Sequence, residues 1–249
     1  MSLFNVYSVL ARKTQRLLPI LLFCLTIVCL LSSLMLLGCA ANLTFSQQRA
    51  KMKRAQQEAV FTESVSLLKA QEGFRASLYN CAAGVKTIGY GNTTYIKQNP
   101  KLKSITLEVA TRLLQEDVKN LQQKLVTYEV SIDKEVLTTI NYTEALSSEQ
   151  QVALISLMYN IGEAKFKHST LKRYIDLRIQ KLIQLEGNLS EKDLRKVKKS
   201  IRVLSKSIEL EFMRWSKVKQ DNIYITSPGL LKRRKLESRL FNDPQDLLM

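Results

Sequence analysis

The sequence predicts an α+β fold, mostly helical, behind an N-terminal hydrophobic segment. Three observations carry that expectation. Apolar residues recur at helical spacing over residues 61–72, 107–125, 147–161 and 194–208. One stretch has strand composition instead: Leu78 and Tyr79, then Val85 to Tyr90, with Ala82-Ala83-Gly84 as the turn between them. Finally, Leu17 to Ala41 is almost continuously apolar, longer than the roughly 20 residues a membrane-spanning helix needs.

These features divide the chain into a basic N-region (1–16), a transmembrane, signal-anchor or lipoprotein signal segment (17–41) and a polar linker helix (42–59). A main domain occupies 60–242, with a basic helical hairpin inserted at 177–209, and then comes a tail, 243–249. Arg12, Lys13 and Arg16 place residue 1 in the cytoplasm and the domain outside it, although Arg49, Lys51, Lys53 and Arg54 weaken the asymmetry. Leu36-Leu37-Gly38-Cys39 is similar to a lipobox, so three fates stand for the segment: lipidation at Cys39, a retained anchor, or release. Cys24 and Cys29 read as small hydrophobes in lipid.

In the main domain Phe61, Val65, Leu68 and Glu72 share one helical face, and Gly73 ends the helix. Glu72 thus closes an apolar stripe, a setting that raises a carboxyl pKa and suits a general acid. The plainer reading is a capped helix with a half-buried glutamate before a surface hairpin. Ser104 and Thr106 offer a helix start for a stripe of Leu107, Ala110, Leu114, Val118, Leu121 and Leu125, read as core. Residues 129–146 read as loop or frayed helix, and Ser147-Ser148 begins a buried helix.

Ile175, Ile179 and Leu182, then Leu194, Val197, Ile201, Leu204 and Ile208, predict two antiparallel helices on a narrow apolar seam, with Ser190 and Asp193 as a capping box. The lysines and arginines on the second helix read either as a solvated face or as an arm for an anionic polymer or partner. Trp215 is expected in the core, Pro228-Gly229 at the start of the last helix, and Leu231 and Leu236 facing inward. Arg233 and Arg234 read as solvated surface.

The composition narrows the function. With 249 residues, 45% of them hydrophobic, the chain can bury one core. The 38 Lys and Arg against 22 Asp and Glu give a net charge of +16, which calls for an anionic partner: nucleic acid, a membrane surface or an anionic polymer. No base-reading module is present and aromatics are 7%, so no nucleic acid is expected. One histidine, His168, and no CxxC pair argue against a zinc site.

The most informative spacing is Glu72, eight residues, Cys81, five residues, Thr87, within EGF, YNC and TIGYGN. This resembles the signature of the phage-type lysozymes (endolysins), written EGxR, YxD and TIGYGH. The blocks LSSEQQVALISLMYNIG and GEAKFKHSTL, and the later SPGLLKRRKLESRLF, resemble the same family, so the resemblance covers roughly residues 60 to 242. Two departures stand out: Cys81 where many members carry Asp, and Asn92 in place of the histidine.

The resemblance implies a lysozyme-like two-lobed domain, with helix and hairpin in the small lobe and a cleft before the larger helical lobe. It implies a glycoside hydrolase that cuts peptidoglycan between N-acetylmuramic acid and N-acetylglucosamine, without a cofactor. Glu72 matches the acid, Cys81 the group beside the attacked carbon, and Thr87 the residue that orients water. Asn160, Ser169 and Thr170 match substrate contacts, though Asn160 and Ser169 read equally well as helix caps. Arg233 and Arg234 match the family's arginine pair after Pro-Gly, which implies that one of them holds the site or binds wall carboxylates. Cys81 can act as a lowered-pKa nucleophile or only fill the pocket, and inversion and retention both remain open. In an oxidising compartment Cys81 could pair with Cys39, a caging that lipidation of Cys39 would preclude. The expected whole is a membrane-anchored, extracytoplasmic lysozyme; the alternative is a non-catalytic, lysozyme-like peptidoglycan-binding protein.

Overall fold

The computed structural model describes residues 44–80, 84–133, 138–220 and 223–242. The chain divides into two units, Met1–Ala55 and Gln56–Met249. The segment 17–41, Cys39 and Cys81 lie outside the described residues. Among the described residues no helix is long and apolar enough to cross a membrane.

Helix α1 occupies residues 44–72, so the expected linker helix and the helix bearing Glu72 are one. It stops where predicted, because Gly73 takes φ 67°, a left-handed conformation that glycine adopts without steric penalty. Strands β1 (Arg75–Asn80) and β2 (Lys86–Gly89) then pair antiparallel, with Tyr79 opposite Thr87. The expected turn falls largely on Ala82 and Ala83, outside the described residues. Residues 103–105 run beside β1: Leu78 N donates to the Lys103 carbonyl and Ile105 N to that of Ala76. The hairpin packs closely on Ile105 and Ala110. A Cβ on Gly89 would sit 3.0 Å from Ala110 Cβ and from Ile105 Cδ1.

After a short helix α2 (Thr94–Gln98), α3 (Leu107–Thr127) starts at its Thr106 cap, whose side chain accepts from Val109 N. Ala110, Leu114, Val118 and Leu125 are buried as the stripe predicts, but Leu107 is exposed. As the first helical residue it precedes the turn that packs.

Residues 129–146 depart from both expectations. They form an antiparallel pair, β3 (Glu129–Asp133) and β4 (Thr138–Asn141), and then helix α4 (Tyr142–Ala145). Alternation explains it: Tyr128 and Val130 are buried while Glu129 and Ser131 face out, a period of two that a search for helical stripes overlooks.

Helix α5 (Ser148–Ile161) is the centre of the core, with Gln150 through Met158 all buried. It begins in a full capping box between Ser147 and Gln150. Ser147→Ala is expected to lower stability by about 1 kcal/mol, measured by urea denaturation. Gln122 Nε2 donates to Gln57 Oε1 at 2.8 Å, and Gln57 Nε2 to Gln151 Oε1 at 3.2 Å, which ties α3, α1 and α5 together. Helix α6 (Glu163–Lys167) leads to α7 (Thr170–Leu185), capped by Ser169.

The predicted helical hairpin exists, but as part of longer elements. Helix α7 and helix α8 (Glu191–Arg214) extend beyond 177–209 on both sides, because Leu171, Ile175, Ile208 and Phe212 prolong the buried seam. The outer face of α8 pairs with itself: Arg195 with Glu191, Lys196 with Asp193, Lys206 with Glu209 and Arg214 with Glu211. Such exposed pairs each contribute at most about 1 kcal/mol.

Two strands then form a third hairpin, β5 (Lys217–Gln220) and β6 (Ile223–Thr226), before the last helix, α9 (Pro228–Phe241). Trp215 is half-buried against the core. Helix α9 corrects the sequence reading: Leu236 is exposed and Leu231 half-buried, whereas Arg233, Arg234, Glu237, Ser238 and Phe241 face inward. The buried stripe of this helix is charged.

Candidate active site

Glu72 is the last residue of α1, and its side chain is 21% exposed. The expected apolar wall is replaced by a guanidinium. Arg233 Nη1, from α9, donates to Glu72 Oε1. The same guanidinium donates through Nε to Glu237 Oε1 at 3.1 Å and through Nη2 to the Ser156 carbonyl at 2.9 Å. Its neighbour Arg234 donates through Nη2 to Asn160 Oδ1 and to Glu237 Oε1, each at 3.1 Å. Arg234 Nε lies 2.9 Å from Glu237 Oε2. Two arginines and two glutamates thus form one connected group beneath the helix end.

Burial sets the electrostatics of this group. It pushes the Glu237 carboxyl up despite both arginines and the Ser156 hydroxyl, and it pulls Arg234 down to about 10 despite Glu237. Both shifts follow desolvation, so loss of water outweighs pairing here. Ser156 Oγ sits 2.6 Å from Glu237 Oε1 and 2.9 Å from Gln71 Oε1. A hydroxyl has one proton, which goes to the carboxylate. A half-turn of the Gln71 amide, whose Nε2 is buried without a partner, supplies the second bond.

The other oxygen of Glu72 faces the hairpin. A Cβ on Gly91, which takes φ 101°, would sit 3.6 Å from Glu72 Oε2 and 3.8 Å from Tyr159 Oη. Tyr159 Oη donates to the Tyr90 carbonyl at 2.8 Å. Its pKa is raised, first by burial and then by the carboxylates of Asp117 and Glu72.

Asn92 has a defined role of its own. Its Nδ2 donates to Asp117 Oδ2 at 3.0 Å, and its Oδ1 accepts from Tyr95 N at 2.8 Å. Burial raises the Asp117 pKa above its ordinary 3.8, with the Asn92 bond opposing. A raised folded-state pKa means the folded chain holds this proton longer than the unfolded one. That stability contribution is whole below the ordinary value and is lost as pH rises through the raised one. Asp117→Asn is expected to flatten that decline, read as Tm against pH from 3 to 8.

Glu72 and Asn160 line a common cavity of about 1080 Å³, with Val218, Leu230, Leu231 and Arg233 among its other walls. Thr87 is buried on β2, and its hydroxyl donates to the Val85 carbonyl at 2.8 Å. Ser169 and Thr170 are not among the walls of the Glu72 cavity; Ser169 accepts from Lys172 N and donates to the Phe166 carbonyl as the cap of α7. Asn160, inside α5, caps nothing. Sequence reasoning passed over Ser156, Gln71 and Glu237. Only Glu237 carries a readable signal, its spacing of three and four residues from the arginine pair.

The family model described as phage lysozyme matches residues 69–184. An endolysin of Acyrthosiphon pisum secondary endosymbiont phage 1 is 30% identical over 175 residues, which is 70% of this chain and 92% of the relative. The chain belongs to the phage lysozyme family.

It is a glycoside hydrolase of the muramidase class, a lysozyme that degrades peptidoglycan. An endolysin of Salmonella phage P22 is 30% identical over 121 residues, 48% of this chain and 74% of that relative. The solved endolysin of Escherichia coli O157:H7 phage FAHEc1 is 21% identical, covers 72% of this chain and 90% of its own, and gives a TM-score of 0.45. The family match spans Glu72, Cys81 and Thr87 and ends within α7. Arg233, Arg234 and Glu237 of this lysozyme therefore lie beyond it.

Proposed function

We propose that this lysozyme is membrane-tethered and hydrolyses the link between N-acetylmuramic acid and N-acetylglucosamine, with Glu72 as the proton donor. The observation that carries the reading is the placement of Glu72 in a cavity, with Oε1 held by Arg233 and Oε2 turned toward Gly91. Arg233 fixes Oε1, which leaves Oε2, beside Gly91, to hold the proton. That proton passes to the leaving oxygen as an oxocarbenium-like transition state forms. The Thr87 proton is engaged with Val85, so its oxygen lone pairs accept from water and orient it. Cys81 acts beside the attacked carbon as nucleophile or as water contact. Asn160, held by Arg234 on the cavity wall, contacts the sugar; Ser169 and Thr170 would do so only from outside that cavity. The tether rests on the apolar run 17–41.

The test is digestion of purified peptidoglycan by the full-length protein in detergent, with and without reductant, and mass spectrometry of the reducing ends. Muramic acid at the new reducing ends supports the reading; glucosamine there overturns the bond assignment. Sedimentation with the wall but no new ends would make the chain a binding protein. A Cys81→Ser variant that keeps full activity removes the nucleophile role. Activity equal in oxidant and reductant removes caging through Cys39.

A further inference from the structure

Beside the Glu72 cavity, a basic concave surface lies between α8 and α9. This groove, of about 750 Å³, is lined by Arg202 and Lys206 from α8 and by Lys235 and Arg239 from α9, against a single carboxylate, Glu209. Glu209 is taken by Lys206 at 2.9 Å. Arg202, Lys235 and Arg239 form no ion pair among the described residues. Two further walls, Ser205 and Asn242, each carry a buried polar atom, Oγ and Oδ1, without a hydrogen-bond partner.

Like charges held together in a depression repel one another, and orphaned polar atoms lose their hydration. A bound anion relieves both: it neutralises the cations, accepts from Ser205 Oγ, and accepts from Asn242 once its amide is turned to present nitrogen. The groove also shares Lys235 and Arg239 with the cavity that holds Glu72. An anion here would lie beside the cavity in which the reading above seats the glycan, on elements that follow the family match.

We propose that the α8–α9 groove is an anion subsite for the carboxylates of the peptide arms that hang from the glycan. The proposal rests on the lysozyme reading above. A discrete cleft with an orphaned hydroxyl and a turnable amide fits a branched carboxylate better than the flat surface of an anionic membrane. Its continuity with the Glu72 cavity favours a group covalently attached to the substrate. Cleavage would then be fed by arm-bearing wall in preference to bare glycan.

The experiment uses the full-length protein in detergent and the double substitution Arg202→Ser, Lys206→Ser, both on α8 and away from Glu72. Two substrates are compared: intact peptidoglycan, and the same glycan after an amidase has removed its peptide arms. Binding is measured by sedimentation with a Glu72→Gln background, and cleavage by new reducing ends. On intact wall the double variant is expected to bind about tenfold more weakly, because two cation contacts at the rim of the interface are lost. On stripped glycan it should match the parent, and the salt dependence of wall binding should shrink.

Equal weakening on both substrates, or none on either, overturns the proposal. So does a loss confined to vesicles of anionic phospholipid, which would assign the groove to the membrane. If neither parent nor variant cuts any substrate while binding still differs between the two walls, the lysozyme reading fails and the subsite stands.

Discussion

Glu72→Gln is expected to abolish wall clearing while leaving the fold and wall binding nearly intact. The substitution keeps the shape of the side chain, and its amide oxygen can still accept from Arg233, which in turn stays bound to Glu237 and the Ser156 carbonyl. The transferable proton is lost. General acid catalysis contributes about 10²–10⁴-fold, so the initial rate of turbidity clearing should fall by that much. Tm should move by less than about 3 °C, since no buried charge is stranded. A variant that clears at more than a tenth of the parent rate would remove Glu72 from the reaction.

Glu237→Ala is expected to have the largest effect on stability. Glu237 is fully buried and is the carboxylate that Arg233, Arg234 and Ser156 all address. Without it, two guanidiniums face each other in a site from which water is excluded. Breaking a buried pair by removing one partner costs about 3–5 kcal/mol. For a chain of this size that lowers Tm on the order of 10 °C. Replacing both members, Arg234→Met with Glu237→Met, should recover most of the loss, because the desolvation penalty disappears along with the attraction. Arg233 then has only Glu72 and Ser156 to hold it. Activity should fall further than stability, and comparing residual clearing with Tm across these variants separates the two roles. A single substitution that unfolds no earlier than the parent would show that the buried group contributes no net stability.

Legibility tracked periodicity. Helices whose buried side chains are apolar were readable, as in α3, α5, α7 and α8, and so was the stop at Gly73. The β1–β2 hairpin was readable from its β-branched and aromatic residues. The β3–β4 and β5–β6 pairs were not. Four or five residues give too few repeats to establish a period, and β6 is exposed on both faces, with Ile223, Tyr224 and Ile225 all facing solvent, which erases the alternation. The last helix failed for a different reason. Its inward stripe is Arg233, Arg234, Glu237 and Ser238, and a search for apolar residues finds instead Leu236, which faces solvent.

The site shows the same limit. Spacing and resemblance led to Glu72 and Thr87 because both sit within one short stretch. The partner of Glu72 comes from α9 and is itself held by α5, both far along the chain, and hydrogen bonding between distant segments leaves no local pattern. The expectation of an apolar wall came from the stripe of α1 itself. A stripe describes only the face of its own helix and says nothing of what another helix brings to its end.

The pairing of Glu72 with Arg233 joins positions 161 residues apart in the chain. Its second half arrives with α9, after the β1–β2 hairpin and the other described helices have been made. A ribosome-bound chain stalled before Pro228 would display Glu72 with neither Arg233 nor Glu237 in place. The carboxylate is fastened only once α9 has been synthesised. Fragments cut short of α9 carry the family signature but lack the clasp.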